Sequence, residues 1–299
     1  MINRRTFTQA LAGLGAVAWP QKAPPQTTGS LPFKLSIMAS TLGARLKPDV
    51  MIPMIAGAGY QGVELNGEYQ EWSEDEIRQF NQLKQTHGIT CDCIVDRPGP
   101  GGAGIIGAAD PKAGEAFFKK VTELLAIAKK LEAKGIIIRP GPRVLSVSHE
   151  TQHDVCVDNM KRAGDMAAKE NIQLLLENGD REENAMAYLT SAAEGIEIVR
   201  RVGSPNVKML YDFFHAQIEE GGLIKKLDKN NIDLIGIVHV ADVPGRHEPG
   251  TGEINYPNIV RTLVANKFGG WMAMEFRPLG DPLASVRAAK DMVMQAARS

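Results

Sequence analysis

Ile172-Gln-Leu-Leu-Leu-Glu177 is a short aliphatic run that ends on a carboxylate, and three later runs repeat the design: Val207-Lys-Met-Leu-Tyr-Asp212, Leu234-Ile-Gly-Ile-Val-His239 and Trp271-Met-Ala-Met-Glu275. Nearly continuous apolar runs of this length read as strands buried on both faces, which is the pattern of a parallel sheet. The stretches between them carry apolar residues three and four apart, the spacing of a helix with one buried face. Working outward gives strands at 33–40, 62–66, 90–95, 135–139, 172–177, 207–212, 234–240 and 271–275. Helices are expected at 48–58, 74–87, 114–133, 152–170, 187–202, 222–229, 257–266 and 282–297. Eight strand-then-helix units are the arithmetic of a single-domain α/β fold, the (β/α)8 TIM barrel. An open doubly wound sheet is the alternative that periodicity alone leaves standing. In a barrel, residues at the carboxyl ends of the strands face the catalytic mouth, so Glu177, Asp212, His239 and Glu275 would meet there.

The 299-residue chain is long enough to bury a full core, and 43% hydrophobic with 23% charged residues is an ordinary globular composition. A formal net charge of -1 argues against a broad nucleic-acid or anionic-membrane surface and favours a small ligand. Residues 1–30 depart from the pattern. Asn3-Arg-Arg-Thr-Phe-Thr8 precedes a mildly apolar segment, Ala16-Val-Ala18 offers a small-x-small cleavage site, and a Pro/Gln/Thr-rich stretch follows. This resembles a twin-arginine export signal, whose apolar part is too short to span a bilayer. The expected organisation is a signal and linker at 1–30 and the barrel at 31–299. The product would be exported or periplasmic, with no stable membrane insertion after cleavage. A basic, frayed N-terminal helix of a cytosolic protein is the competing reading. Cys91, Cys93 and Cys156 are an odd set that reads as buried free thiols. Cys91 and Cys93, two apart in a strand, are expected to share a face.

Gly99-Pro-Gly-Gly-Ala-Gly104 formally matches a dinucleotide-binding GxGxxG, but no helix opens on its last glycine and no acidic residue ends a strand at the required distance. It reads as a loop at the mouth that could cover a substrate. Asp212-Phe-Phe-His215 puts a carboxylate at a strand end and an imidazole three residues on, so that both can face one ligand; a capping Asp with a surface His is the plainer explanation.

Val238-His-Val-Ala-Asp-Val-Pro-Gly-Arg246-His-Glu-Pro-Gly-Thr-Gly-Glu-Ile-Asn-Tyr256 is the most specific segment. It closely resembles the hydroxypyruvate isomerase branch of the xylose isomerase-like barrel superfamily, which also holds ketose 3-epimerases. Tyr211-Asp-Phe-Phe-His-Ala-Gln-Ile-Glu-Glu220 and Gly269-Gly-Trp-Met-Ala-Met-Glu-Phe-Arg-Pro278 match further segments in order. The likeness is strongest over 172–281 and falls to strand-helix rhythm before that. The resemblance implies that Glu177, Asp212, His239 and Glu275 bind one divalent cation, Mn2+ or Mg2+. It also implies that His215 and Arg246 contact substrate, and Glu183 is assigned with them. Two departures stand out. The hydroxypyruvate enzymes carry Gln where His239 stands, whereas the 3-epimerases carry His. The loop Asn178-Gly-Asp-Arg-Glu-Glu183 lacks the Glu-Pro-Ile-Asn pattern of the hydroxypyruvate branch.

The chemistry follows from the residue types. A proton next to a carbonyl is weakly acidic, so one group must remove it while another stabilises the enediolate; a carboxylate does the first and a divalent cation the second. Oxygen-rich ligation with one imidazole suits Mn2+ or Mg2+ better than structural zinc. Glu177 and Glu275 can serve as the catalytic pair: used together they give a 3-epimer, and used on one face, with His215 assisting, an aldose-ketose isomer. The expected substrate is a small sugar or hydroxy-keto acid, and a homo-oligomer is compatible with it. A ketose 3-epimerase, a 3-keto-glycoside lyase or hydrolase, and a non-catalytic sugar binder are the rivals. The endonuclease of the same barrel needs more histidines at the mouth than six in the whole chain readily supply, and a basic path for DNA. Taken singly, Glu177 could pair with Arg139, Glu275 with Arg277, and His239 could be a core histidine; Glu64 reads first as a supporting residue.

Overall fold

The computed structural model describes residues 31–96 and 107–299, so the export signal expected at 1–30 and the glycine-rich loop at 99–104 lie outside the described residues. Eight parallel strands pair in sequence order: β1 (Lys34–Met38), β2 (Gly62–Asn66), β3 (Thr90–Val95), β4 (Gly135–Ile138), β5 (Gln173–Glu177), β6 (Val207–Asp212), β7 (Ile235–Val240) and β8 (Trp271–Met274). β1 pairs with β8 from Lys34↔Trp271 to Ile37↔Met274, which closes the barrel and removes the open-sheet alternative.

The main helices are α1 (Ala39–Leu42), α2 (Pro48–Gly57), α3 (Glu74–His87), α4 (Gly114–Lys130), α5 (His149–Ala168), α6 (Ala192–Val202), α7 (Phe213–Glu219), α8 (Tyr256–Ala265) and α9 (Pro282–Ala296). Their starts follow local chemistry. Ser73 and Glu76 form a reciprocal capping box on α3, and Ser148, Ser191 and Asp281 cap α5, α6 and α9. Because Ser191 caps α6, the helix expected from 187 begins later, and 178–191 is left as a loop over the mouth.

The helix expected at 222–229 is corrected more strongly. The chain turns into α7 directly from β6, because the Asp212 carboxylate accepts from the backbone N–H groups of Phe214 and His215 at 2.8 and 3.2 Å. Gly221 and Gly222 then take φ of +59° and +61°, which ends the helix, and only a 3-10 turn, Leu223–Lys226, follows.

Inside the barrel, Cys93, Val95, Ile137, Leu175, Leu210, Ile237 and Ala273 pack as a separate core, while the larger apolar core lies between strands and helices. The β2–β3 register passes from Val63↔Cys91 to Glu64↔Cys93, leaving Asp92 as an extra residue. That bulge corrects the expected pairing of faces: Cys91 packs in the outer core and Cys93 inside the barrel. All three cysteines are free and buried.

Candidate metal centre and active site

The site is the next layer up from the barrel core. A strand points every second residue the same way, so the residue two beyond each interior one emerges at the mouth. Leu175 is followed by Glu177, Leu210 by Asp212, Ile237 by His239 and Ala273 by Glu275. The pleat thus brings together the four residues singled out at strand ends.

One ligand atom from each of the four lies within 4.8 Å of every other. His239 Nδ1 is 2.7 Å from Glu275 Oε2, 3.6 Å from Glu177 Oε1 and 3.8 Å from Asp212 Oδ2. Yet both ring nitrogens of His239 and Glu275 Oε2 are buried without a well-directed hydrogen bond. His239 Nδ1, Glu177 Oε1, Asp212 Oδ2 and Glu275 Oε2 thus crowd one buried spot, while Nε2 of His239 faces Glu64. Three carboxylates and an imidazole around such a point fit a divalent cation.

Electrostatics divides the two glutamates. Burial lifts the Glu177 carboxyl above its ordinary range, with His239 pulling the other way and Glu275 adding to the rise. Burial also opposes ionisation of Glu275, but the charges of Arg246 and His239 outweigh it and lower that carboxyl to about 2. At Asp212 the charges of His215, His239 and Arg246 overcome burial and hold the carboxylate well below its usual range.

Arg246 is buried and reaches three acidic residues: Nη2 lies 2.7 Å from Glu275 Oε2 and 3.2 Å from Asp212 Oδ2, and Nη1 donates to Glu183 Oε2 at 2.9 Å. Its backbone sits at φ +59°, a strained value for a non-glycine residue. The loop that holds it there is built on Asp242, whose carboxylate accepts from the N–H groups of Val243, Gly250 and Ile254 at 2.8–3.0 Å. The plainer pairing of Glu275 with Arg277 is not formed: Arg277 reaches Glu183 instead, at 3.4 Å. Arg139 donates to the Asp96 carbonyl.

His215 is buried, which removes the surface-histidine reading of Asp212-Phe-Phe-His215. Its Nε2 is 3.3 Å from Asp212 Oδ2, and Nδ1 makes a short hydrogen bond to Asp180. Burial works against the imidazolium, but the Asp212 charge and the Asp180 bond raise its pKa above the ordinary histidine value. Asp180 also accepts from Glu183 N–H at 2.6 Å, so the loop after β5 positions His215 and Glu183 together.

A cavity of about 200 Å3 opens over this layer, lined among others by Glu177, Glu183, His215, Arg246, Glu275 and Arg139. Asp212 and His239 are buried and do not line it.

Sequence reasoning passed over Asp180 and Asn178. Asn178 is fully buried and braces Asp212 from both sides, donating to its carbonyl at 3.2 Å and accepting from its N–H at 3.0 Å. Their signal was position: Asn178 directly follows the strand-end Glu177, and Asp180 lies three residues beyond it in the same loop. Asp92 was also missed. It lies with Glu64 and Cys93 in a buried polar layer beneath the site, and the bulge that turns it inward has no signature in strand alternation.

Residues 52–295 match the family described as xylose isomerase-like TIM barrel. The chain is 31% identical over 237 residues to hydroxypyruvate isomerase of Escherichia coli (strain K12), covering 78% of this chain and 88% of that protein. It is 29% identical over 229 residues to 2-oxo-tetronate isomerase of Cupriavidus necator, covering 75% and 84%. Among solved structures it is similar to an AP endonuclease, family 2, from Brucella melitensis, with a TM-score of 0.75, 26% identity and coverage of 85% of this chain and 96% of the other. The closed eight-stranded barrel and these matches agree: the chain belongs to the xylose isomerase-like TIM barrel family, as an enzyme of the isomerase type.

Proposed function

We propose that the protein is a divalent-metal-dependent isomerase of small, unphosphorylated hydroxy-carbonyl compounds, acting by proton transfer through an enediolate. The observation that carries this reading is the convergence of Glu177, Asp212, His239 and Glu275 on one buried spot, where the His239 ring nitrogens and Glu275 Oε2 lack a well-directed hydrogen bond. The relatives named hydroxypyruvate isomerase and 2-oxo-tetronate isomerase support it. Those four residues would hold the cation, Mn2+ or Mg2+, which would supply Lewis-acid stabilisation of the negative charge that develops on the substrate.

The remaining work falls to the chain itself. Glu275, kept ionised by Arg246, is suited to accept the carbon-bound proton, and Glu177, whose carboxyl is lifted by burial, to hold or return one. His215, oriented by Asp180, can donate to a substrate oxygen. Arg246 offers a fixed planar charge to a substrate carboxylate or a pair of hydroxyls, and Glu183 sets its direction.

His239 favours a second reading. An imidazole at this position goes with the ketose 3-epimerase side of the resemblance, and it makes a free ketose the alternative to hydroxypyruvate. Elimination from a 3-keto-glycoside would use the same proton removal. Incubating chelated and metal-restored protein in D2O with hydroxypyruvate, D-fructose or a 3-keto-glucoside, and following deuterium by NMR, tests both layers of the proposal. Metal-dependent exchange at the carbon next to the carbonyl is expected, and the substrate that exchanges identifies the class. Absence of exchange with all of them, or full activity in protein shown to be metal-free, would overturn it.

Arg4 and Arg5 ahead of the weakly apolar segment support export by the twin-arginine route, which fits unphosphorylated substrates.

A further inference from the structure

Away from the mouth, a second group of ligating side chains bridges the first turns of α5 and α6. His149 and His153 are four residues apart on α5 and therefore share one face. His149 Nε2 lies 2.5 Å and His153 Nδ1 2.9 Å from the same oxygen, Glu194 Oε1 of α6. The other ring nitrogen of His153 is taken by Glu197, one turn further along α6. Glu197 in turn lies 3.8 Å from Arg201.

We propose that His149, His153 and Glu194 form a peripheral binding site for a zinc-type divalent transition metal, separate from the site at the mouth. Two imidazoles and one carboxylate are a donor set for such an ion, with the fourth position left to water. Two imidazoles also distinguish this group from the carboxylate-rich centre, which suits harder ions. The Glu197 contact is the supporting observation. A ligating histidine commonly donates its other N–H to a carboxylate, which fixes the tautomer and aims the free lone pair at the metal. Here that contact leaves Nδ1 of His153 facing Glu194 and His149. His153 and Glu194 are mostly enclosed, with side-chain exposures of 13% and 20%, while His149 is about half exposed, so the ion would enter from the solvent side.

The site also has a wall in common with the catalytic cavity. The ring of Tyr188 packs 5.3 Å from that of His149, and its hydroxyl is buried near Glu194 without a well-directed hydrogen bond. Tyr188 belongs to the loop after β5 and lines the cavity at the mouth. A metal joining α5 to α6 would brace that wall. Helix N-termini repel cations, so Glu194 and Glu197 must compensate.

Equilibrium dialysis of the full chain against Zn2+ at neutral pH, with elemental analysis, provides the test. Wild type is expected to bind two equivalents, and Asp212→Asn, weakened at the mouth, to keep the peripheral one. Combining Asp212→Asn with His149→Ala and His153→Ala should abolish that remaining equivalent and the rise in Tm that zinc gives Asp212→Asn. His149→Gln, a milder change, should weaken zinc binding to Asp212→Asn at least tenfold. Retention of zinc at unchanged affinity when both histidines are replaced, or failure of folded Asp212→Asn to bind zinc at all, would overturn the proposal.

Discussion

His239 presents Nε2 to Glu64 Oε2 at 3.0 Å while its Nδ1 faces the carboxylates of Glu177, Asp212 and Glu275. The two residues come from β7 and β2, and Glu64 is fully buried beneath the mouth, where Cys93 Sγ also lies 3.2 Å from its Oε1. One ring nitrogen thus faces the fold and the other faces the carboxylates at the mouth. Glu64→Gln should leave the barrel folded but weaken metal binding about 10- to 100-fold, because the ring loses the carboxylate that orients it and increases its basicity. Calorimetric titration with Mn2+ checks this. Unchanged affinity would reduce Glu64 to a packing residue.

Asp212 uses its two oxygens differently: Oδ1 caps α7, and Oδ2 faces His239, His215 and Arg246. Asp212→Asn retains an acceptor for the cap, so it should fold while losing metal affinity. Asp212→Ala loses both functions and should cost about 1 kcal/mol more in stability from the cap alone. Urea unfolding beside metal titration separates the two effects. Equal metal affinity in Asp212→Asn and wild type would remove Asp212 from the metal site.

Glu177→Gln and Glu275→Gln should each lower kcat about 10^2- to 10^4-fold, the range for loss of a general acid or base, with a smaller change in substrate binding. Solvent-deuterium exchange should then show which proton each glutamate serves. Near-normal turnover by either variant would exclude that residue as the proton-transfer group.

Cys156, fully buried in α5, gives the fold an alkaline limit. Burial, helped by the Glu194 charge, raises its thiol from 9.0 to about 12. The unfolded chain releases this proton first, so the contribution is intact below pH 9 and declines between 9 and 12, by roughly 1.4 kcal/mol per pH unit for a single group. Urea midpoints measured from pH 8 to 11 should fall, and Cys156→Ala should flatten the decline. Parallel curves for the two proteins would assign the alkaline loss elsewhere.

Replacing Arg4 and Arg5 with Lys should trap full-length, active protein in the cytoplasm, because the charge persists while the receptor-read pair is lost. Cell fractionation checks it. A wild-type chain that stays uncleaved and wholly cytoplasmic in its own host would refute export.

The strand-helix alternation and the four polar residues that meet at the mouth were legible in the chain alone, since both rest on local periodicity and on which residue type ends each apolar run. Glu177, Asp212, His239 and Glu275 were legible because each strand announces its own end. Barrel closure was not, because β1 and β8 are joined by contacts between residues more than 230 positions apart. Tertiary structure also decided that Arg246 turns inward to Glu275 and Asp212, that Asp180 holds His215, and that Glu64 supports His239 across the barrel. It placed the β3 bulge that sends Cys91 and Cys93 to different cores, and the cap that starts α7 at Asp212. These outcomes depend on register and on charges brought together from distant segments, and a local pattern of apolar residues carries no record of which partner a buried charge will meet.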